Sequence, residues 1–362
     1  MKRKLLIAII FIVAIFFYGC SSSQLNASTT EGQENPTASD EVQSKLKVYT
    51  TLYPLEDFVK KIGSDYVEVE NIIPPGADAH SYEPTTKNMT SIASGDAFIY
   101  NGLNMEPSAD KIAIALEKEN VKLIEATYRI DAINHEDEHE HEHSDEEHAH
   151  EDDAEVHEHE DEGHTHDDEE HEHTDEEHAL EDGHDHDHGG LNPHVWLDPS
   201  RAITLAENIK NALVELNPDA KEEFEKNYKA LTEELTNLDE EFLRLVESKE
   251  NPEILVSHAA YGYWEERYGI KQIAVSGLSP SNEPSQRELK NIADIAKEKQ
   301  IKYILFEQNV TSKIAEIVKN EIDAEPLYLY TMESVSEEER NSGEDYFSLM
   351  RKNLSTLEKA LK

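Results

Sequence analysis

Cysteine occurs once in 362 residues, at Cys20, so no disulfide can staple this chain from within. Long apolar runs are missing too. The longest, Leu5 to Tyr18, falls short of the roughly 20 residues a membrane-crossing helix needs. Preceded by Lys2, Arg3 and Lys4, it reads as a secretory signal over residues 1–19 and is set aside from the fold. Basic residues are scarce: 33 Lys and Arg stand against 79 Asp and Glu, for a formal charge of −46. That acidic balance argues against nucleic acid as a partner and against adhesion to anionic lipid. Between 135 and 188 there is no Lys or Arg at all, and 28 Asp and Glu.

What stands at the end of the apolar run is Gly19-Cys20, similar to the lipobox of bacterial lipoproteins, with Phe17 where the pattern usually has Leu. The resemblance implies that Cys20 becomes the lipid-modified first residue; an ordinary signal followed by a free thiol is the alternative, and an oxidising compartment disfavours a lone thiol. Residues 20–45 are small and polar without apolar periodicity, so they are expected to form a flexible, lipid-anchored linker.

From Leu46 the pattern turns globular. Strands are expected at 47–51, 67–73, 96–100 and 121–126, with helices at 54–63, 85–93 and 108–118 between them. The alternation predicts an α/β fold with mostly parallel sheets. A helix is expected to follow "NPHVWLDP", and another to open at Asn217-Pro218, with Asn217 as N-cap and Pro218 in the first helical position. In that second helix Phe224, Tyr228, Leu231, Leu235, Leu238, Phe242 and Leu245 recur every four or three residues, one apolar stripe over about 30 residues. A coiled-coil dimer could use such a stripe. An intramolecular strut fits better, because the βα scheme resumes after it with strands at 253–257, 271–277, 302–307 and 325–331. The expected organisation is an N-terminal lobe (46–216) carrying an insertion (135–189), a linking helix (217–248) and a C-terminal lobe (252–362).

Sixteen of the nineteen histidines fall between His135 and His188. There "HEHSDEEHAHED" returns thirty residues later as "HEHTDEEHALED". Pairs two apart, His141 with His143, His157 with His159, His164 with His166, His171 with His173 and His184 with His186, followed by His188, share one side of any extended stretch and suit weak chelation of a divalent ion. Almost no apolar residue accompanies them, so the run is expected to be disordered without metal and accessory to a site elsewhere.

That site is sought among the other three histidines. His80 follows a strand, His194 precedes a helix and His258 directly follows "EILVS". In open α/β sheets the ligand crevice lies outside the carboxyl ends of the strands, where three such histidines can converge between two lobes. Imidazole suits zinc, which takes about four ligands near tetrahedral geometry. Glu307 and Glu333, both placed at ends of second-half strands, are the candidates for a fourth.

"PPGADAHSYEP", "NPHVWLDP", "SHAAYGYWEERYG", "GLSPSNEPS" and the closing "YTMES" with "YFSLMRKNL" resemble the metal-binding lipoproteins of bacterial zinc and manganese ABC importers, the TroA-like, cluster A-I solute-binding proteins. The resemblance covers nearly everything from 46 to 362. It implies two (β/α) lobes joined by one long rigid helix, with the metal site in the cleft between them. It implies His80, His194 and His258 as ligands, Glu333 as the fourth, and Glu307 as its substitute or as support. Zinc members have His at the third position and manganese members Glu, so His258 points to Zn²⁺. Expected partners are an ABC permease with its ATPase and the bacterial membrane through the lipid anchor, with the protein itself a monomer that makes and breaks no bond. A manganese-binding importer subunit and a three-histidine zinc hydrolase are the competing readings. The carboxylates that could serve the hydrolase as general base are also the expected fourth ligand.

Overall fold

The computed structural model describes residues 44–134, 190–308, 310 and 312–361. The expected signal, Cys20, most of the linker and the His-rich insertion 135–189, with all its paired histidines, lie outside the described residues. In the first half the apolar runs become β1 (Leu46–Thr50), β2 (Val67–Asn71), β3 (Ala97–Tyr100) and β4 (Lys122–Glu125). Helices α1 (Tyr53–Gly63), α2 (Thr86–Ala93) and α3 (Ala109–Leu116) make the crossovers. The second half repeats the scheme with β5 (Glu253–His258), α6 (Gly262–Tyr268), β6 (Lys271–Ser276), α7 (Gln286–Glu298), β7 (Tyr303–Glu307), α8 (Lys313–Ile322) and β8 (Glu325–Leu329). Between the halves run α4 (Pro199–Leu216) and α5 (Lys221–Glu247), and α9 (Glu337–Asn341) and α10 (Tyr346–Ala360) close the chain.

The two sheets have the same topology. Their strand orders are β2-β1-β3-β4 and β6-β5-β7-β8, and every named pair is parallel. Each sheet therefore reverses direction between its first and third strands, and the crevice at that reversal is where an open α/β sheet receives ligand. In the second lobe the two strands that meet there end in His258 and Glu307. In the first lobe the matching corner holds a buried acid. The Glu106 carboxylate accepts from the Thr51 hydroxyl and from the backbone N–H of Asn101 (2.9 Å) and Gly102 (3.3 Å).

Helix α5 buries Phe224, Leu231, Leu235, Leu238 and Phe242, with Tyr228 and Leu245 packed at the margin of the same stripe. It packs against α1 and α4 and also against α6 and α10. The stripe is thus occupied within the chain. Each fully buried Leu or Phe contributes about 1.5–3 kcal/mol, and a charge at Leu238 would be buried without a partner. At 27 residues α5 is about 40 Å long. It starts later than the sequence suggests. Beyond α4 and the single residue Asn217, the chain turns through a tighter 3-10 stretch, Pro218–Ala220, closed by the Ala220 N–H on Asn217 O (3.2 Å). Regular α geometry begins at Lys221.

Candidate metal centre

Two of the histidines are presented by Asx turns and the third by a strand end. His80 sits in the turn-rich loop after β2. There Asp78 accepts from the His80 backbone N–H (3.0 Å) and the Ser81 hydroxyl (2.7 Å), an Asx turn that fixes the residue two places on. Asn192 does the same for His194 and more: its Oδ1 accepts from the His194 N–H (3.0 Å) and lies 2.9 Å from Nδ1 of the ring. With Nδ1–H satisfied there, the lone pair of Nε2 is left to face the cleft. Gly262 makes room for this, since a Cβ at that position would stand 2.8 Å from the Asn192 amide nitrogen. His258 is the last residue of β5 rather than the first after it. Its Nδ1 lies against the Glu307 carboxylate, which also accepts from the Ser257 hydroxyl (3.1 Å).

Glu333 corrects the sequence reading. Strand β8 ends at Leu329, so Glu333 belongs to the loop four residues beyond it. The loop turns at Met332, whose φ of 62° is left-handed. The sequence offers no glycine or asparagine at 332 to signal such a turn.

These devices bring three Nε2 atoms and one carboxylate oxygen together. Nε2 of His194 is 3.3 Å from that of His80 and 3.4 Å from that of His258. Oε1 of Glu333 lies 3.6 Å from His80 Nε2, 3.6 Å from His194 Nε2 and 3.9 Å from His258 Nε2. Donor atoms about 2.0–2.2 Å from a tetrahedral zinc are themselves about 3.3–3.6 Å apart, so the four need little rearrangement to close on such an ion. Oε1 of Glu333 is buried and makes no hydrogen bond to any described group. Among the described residues this is the single cluster of its kind. Glu307 is not in it: it stands behind His258, on the Nδ1 side.

Burial and charge prepare the site for a cation. His194 and His258 are fully buried and Glu333 is nearly so, while His80 keeps a little exposure. Burial, countered by Glu333 and reinforced by the two other imidazoles, pushes His194 down to about 3. Burial alone would raise Glu333, but His80 and His194 facing it hold its carboxyl well below the usual range. Burial would likewise lower His80, and there Glu333, with Asp78 and Glu307, wins and raises it. A neutral buried imidazole beside an ionised carboxylate is a ligand pair that awaits positive charge. A dication bound here meets the Glu333 carboxylate directly, which offsets part of its desolvation cost.

Asn192 escaped the sequence reading, although the Asx-Pro-His order was its signal: an Asn side chain bonding the backbone two residues on.

Residues 48–360 match the family described as zinc-uptake complex component A, periplasmic. The chain is 32% identical over 357 residues to the zinc-binding lipoprotein AdcA of Streptococcus pneumoniae (strain ATCC BAA-255 / R6). That match covers 98% of this chain and 60% of AdcA, so the chain spans less than two thirds of that relative's length. It is 33% identical over 337 residues to the high-affinity zinc uptake system protein ZnuA of Bacillus subtilis (strain 168), covering 92% of each. Among solved structures it is similar to the Zn(II)-bound ZnuA-like domain of Streptococcus pneumoniae AdcA, with a TM-score of 0.64 and 32% identity over 88% of this chain and 99% of that one.

Proposed function

The chain belongs to the ZnuA family of zinc-uptake components, and from that premise we propose that it is the zinc-capturing solute-binding subunit of an ABC importer. In this reading it is held at the extracytoplasmic face of the membrane by a lipid on Cys20, and passes Zn²⁺ to a permease driven by an ATPase. The ion is cargo. His80, His194 and His258 give it their Nε2 atoms and Glu333 gives Oε1, while Asn192 and Glu307 orient two of the rings from behind. The observation that carries the proposal is the convergence of those four donors from four separate segments to within 4.8 Å of one another, with His194 Nε2 3.3–3.6 Å from the other three, the spacing a tetrahedral zinc requires.

What favours a carrier over a hydrolase is that four protein atoms fill a tetrahedron, whereas catalytic zinc keeps a position for water. What favours zinc over manganese is the three-nitrogen donor set, since manganese prefers oxygen. Release rests on the same chemistry. Imidazole binds metal only when neutral, so protons compete with the ion, and acidification weakens the site.

In this reading the His-rich run supplies many weak, interchangeable sites, accessory to the tight one. Calorimetry on two proteins tests this division. Deleting 135–189 should keep one tight Zn²⁺ site and lower the total number of bound ions, whereas His194→Ala in the full chain should lose the tight site and keep the weak ones. The reverse pattern, a tight site lost with the run and retained in His194→Ala, would make the run the functional centre.

A further inference from the structure

We infer that Trp196 is a positioning residue for zinc, coupling the turn that carries His194 to the loop that presents Glu333. This rests on the ligand set proposed above and deepens it. Trp196 is fully buried, two residues after His194, with its ring centroid 5.5 Å from that of the histidine. Its indole N–H donates to the Thr331 carbonyl at 2.7 Å, 135 residues along the chain. That carbonyl belongs to the peptide joining Thr331 to Met332, the residue at φ 62°, and Glu333 comes directly after. A left-handed conformation at a non-glycine residue persists only where its surroundings hold it. The indole N–H fixes the plane of the peptide whose rotation would relax that turn and swing the Glu333 carboxylate away.

Trp196 is itself held in place. Its backbone carbonyl accepts from the Tyr346 hydroxyl of α10 (2.6 Å), and the neighbouring Leu197 carbonyl accepts from the Trp264 indole of α6 (2.7 Å). The Tyr263 hydroxyl donates to Asn192 O (2.6 Å) just before the histidine. The His194 turn, first-lobe by sequence, is therefore bound to the second lobe through its backbone. Other ties reach the Glu333 loop, from the Tyr53 N–H to Glu333 O (3.3 Å) and from the Ser334 hydroxyl to Ala77 O (2.7 Å). Neither acts on the peptide ahead of Met332.

A tryptophan that merely fills the core predicts a different outcome from one that aims a ligand, and a double-mutant cycle on the full chain separates them. Zinc affinity is measured by competition with a chelator for the unaltered chain, Trp196→Phe, Glu333→Gln and the double variant. Trp196→Phe should weaken Zn²⁺ about 10–100-fold, the range typical of groups that orient a ligand, and should cost nothing further once Glu333 is Gln. The Co²⁺ absorption spectrum of Trp196→Phe should move toward that of Glu333→Gln. Equal losses in both backgrounds, or no loss in either, would overturn the inference alone. A Glu333→Gln protein that binds like the unaltered chain would instead sink the ligand set, and the inference with it. If Trp196→Phe does not fold, placing benzothienylalanine at 196 exchanges only the N–H for sulfur, and the same cycle is run on that protein.

Discussion

Replacing Glu307 by Gln asks which of two buried carboxylates binds the ion. Glu333 Oε1 faces all three Nε2 atoms, whereas of the three imidazoles Glu307 meets only that of His258, at its far nitrogen. A group that orients a ligand from behind is worth about 10–100-fold in affinity, or roughly 1.4–2.7 kcal/mol. At free zinc about a thousand times the dissociation constant, binding stabilises the folded chain by about 4.1 kcal/mol. For a body of this size that is a rise in Tm of roughly 8–16 °C. Glu307→Gln should therefore shrink the zinc-induced rise by about one third to two thirds. Glu333→Gln removes an anionic donor from the ion itself and should nearly abolish the rise. Thermal scans with and without zinc, beside chelator competition at fixed pH, give the ordering directly. Glu307→Gln costing as much as Glu333→Gln would place both acids on the metal, and a larger cost would exchange their roles.

Exchanging His258 for Glu substitutes a harder oxygen for nitrogen, so competition titrations should show relative preference moving from Zn²⁺ toward Mn²⁺; an unchanged ratio would remove His258 from the ligand set. Burial, against the Thr51 hydroxyl and two backbone N–H groups, raises Glu106 from 4.5 to about 7. Between those values the folded chain holds a proton the unfolded chain has lost, so stability should fall as pH rises from about 4.5 to 7, by roughly 3 kcal/mol, and level off above. Glu106→Gln should flatten that slope, and thermal scans from pH 5 to 8 in which both proteins decline in parallel would refute the assignment. Cys20→Ala should leave the membrane fraction for the soluble one, and protein that still sediments with membranes would end the lipoprotein reading.

Much of this architecture was legible because it rests on periodicity. Alternating strand and helix patterns at 46–126 and again at 253–331 announce two parallel sheets, and the stripe from Phe224 to Leu245 announces the helix between them. Three histidines outside a run of sixteen drew attention by scarcity. What escaped depends on contacts that leave no pattern. The left-handed turn at Met332 carries no glycine to betray it, and it moves Glu333 off the strand end. The Trp196, Tyr263, Trp264 and Tyr346 donors all end on backbone carbonyls, which every residue has, so no partner can be picked from composition.

One small contact sets the terms on which the His-rich segment is carried. Asn134 and Leu191 form an isolated antiparallel bridge, reinforced by the Asn192 N–H on Ile133 O (2.9 Å). The bridge stands next to the Asn192 whose side chain accepts from the His194 backbone N–H. Closing a chain twice as long costs only about 0.6 kcal/mol more. Lengthening or shortening the chain between Asn134 and Leu191 is therefore a small change in closure entropy, and sequence grafted between them would end close to the turn that carries His194, a natural position for a reporter of its state.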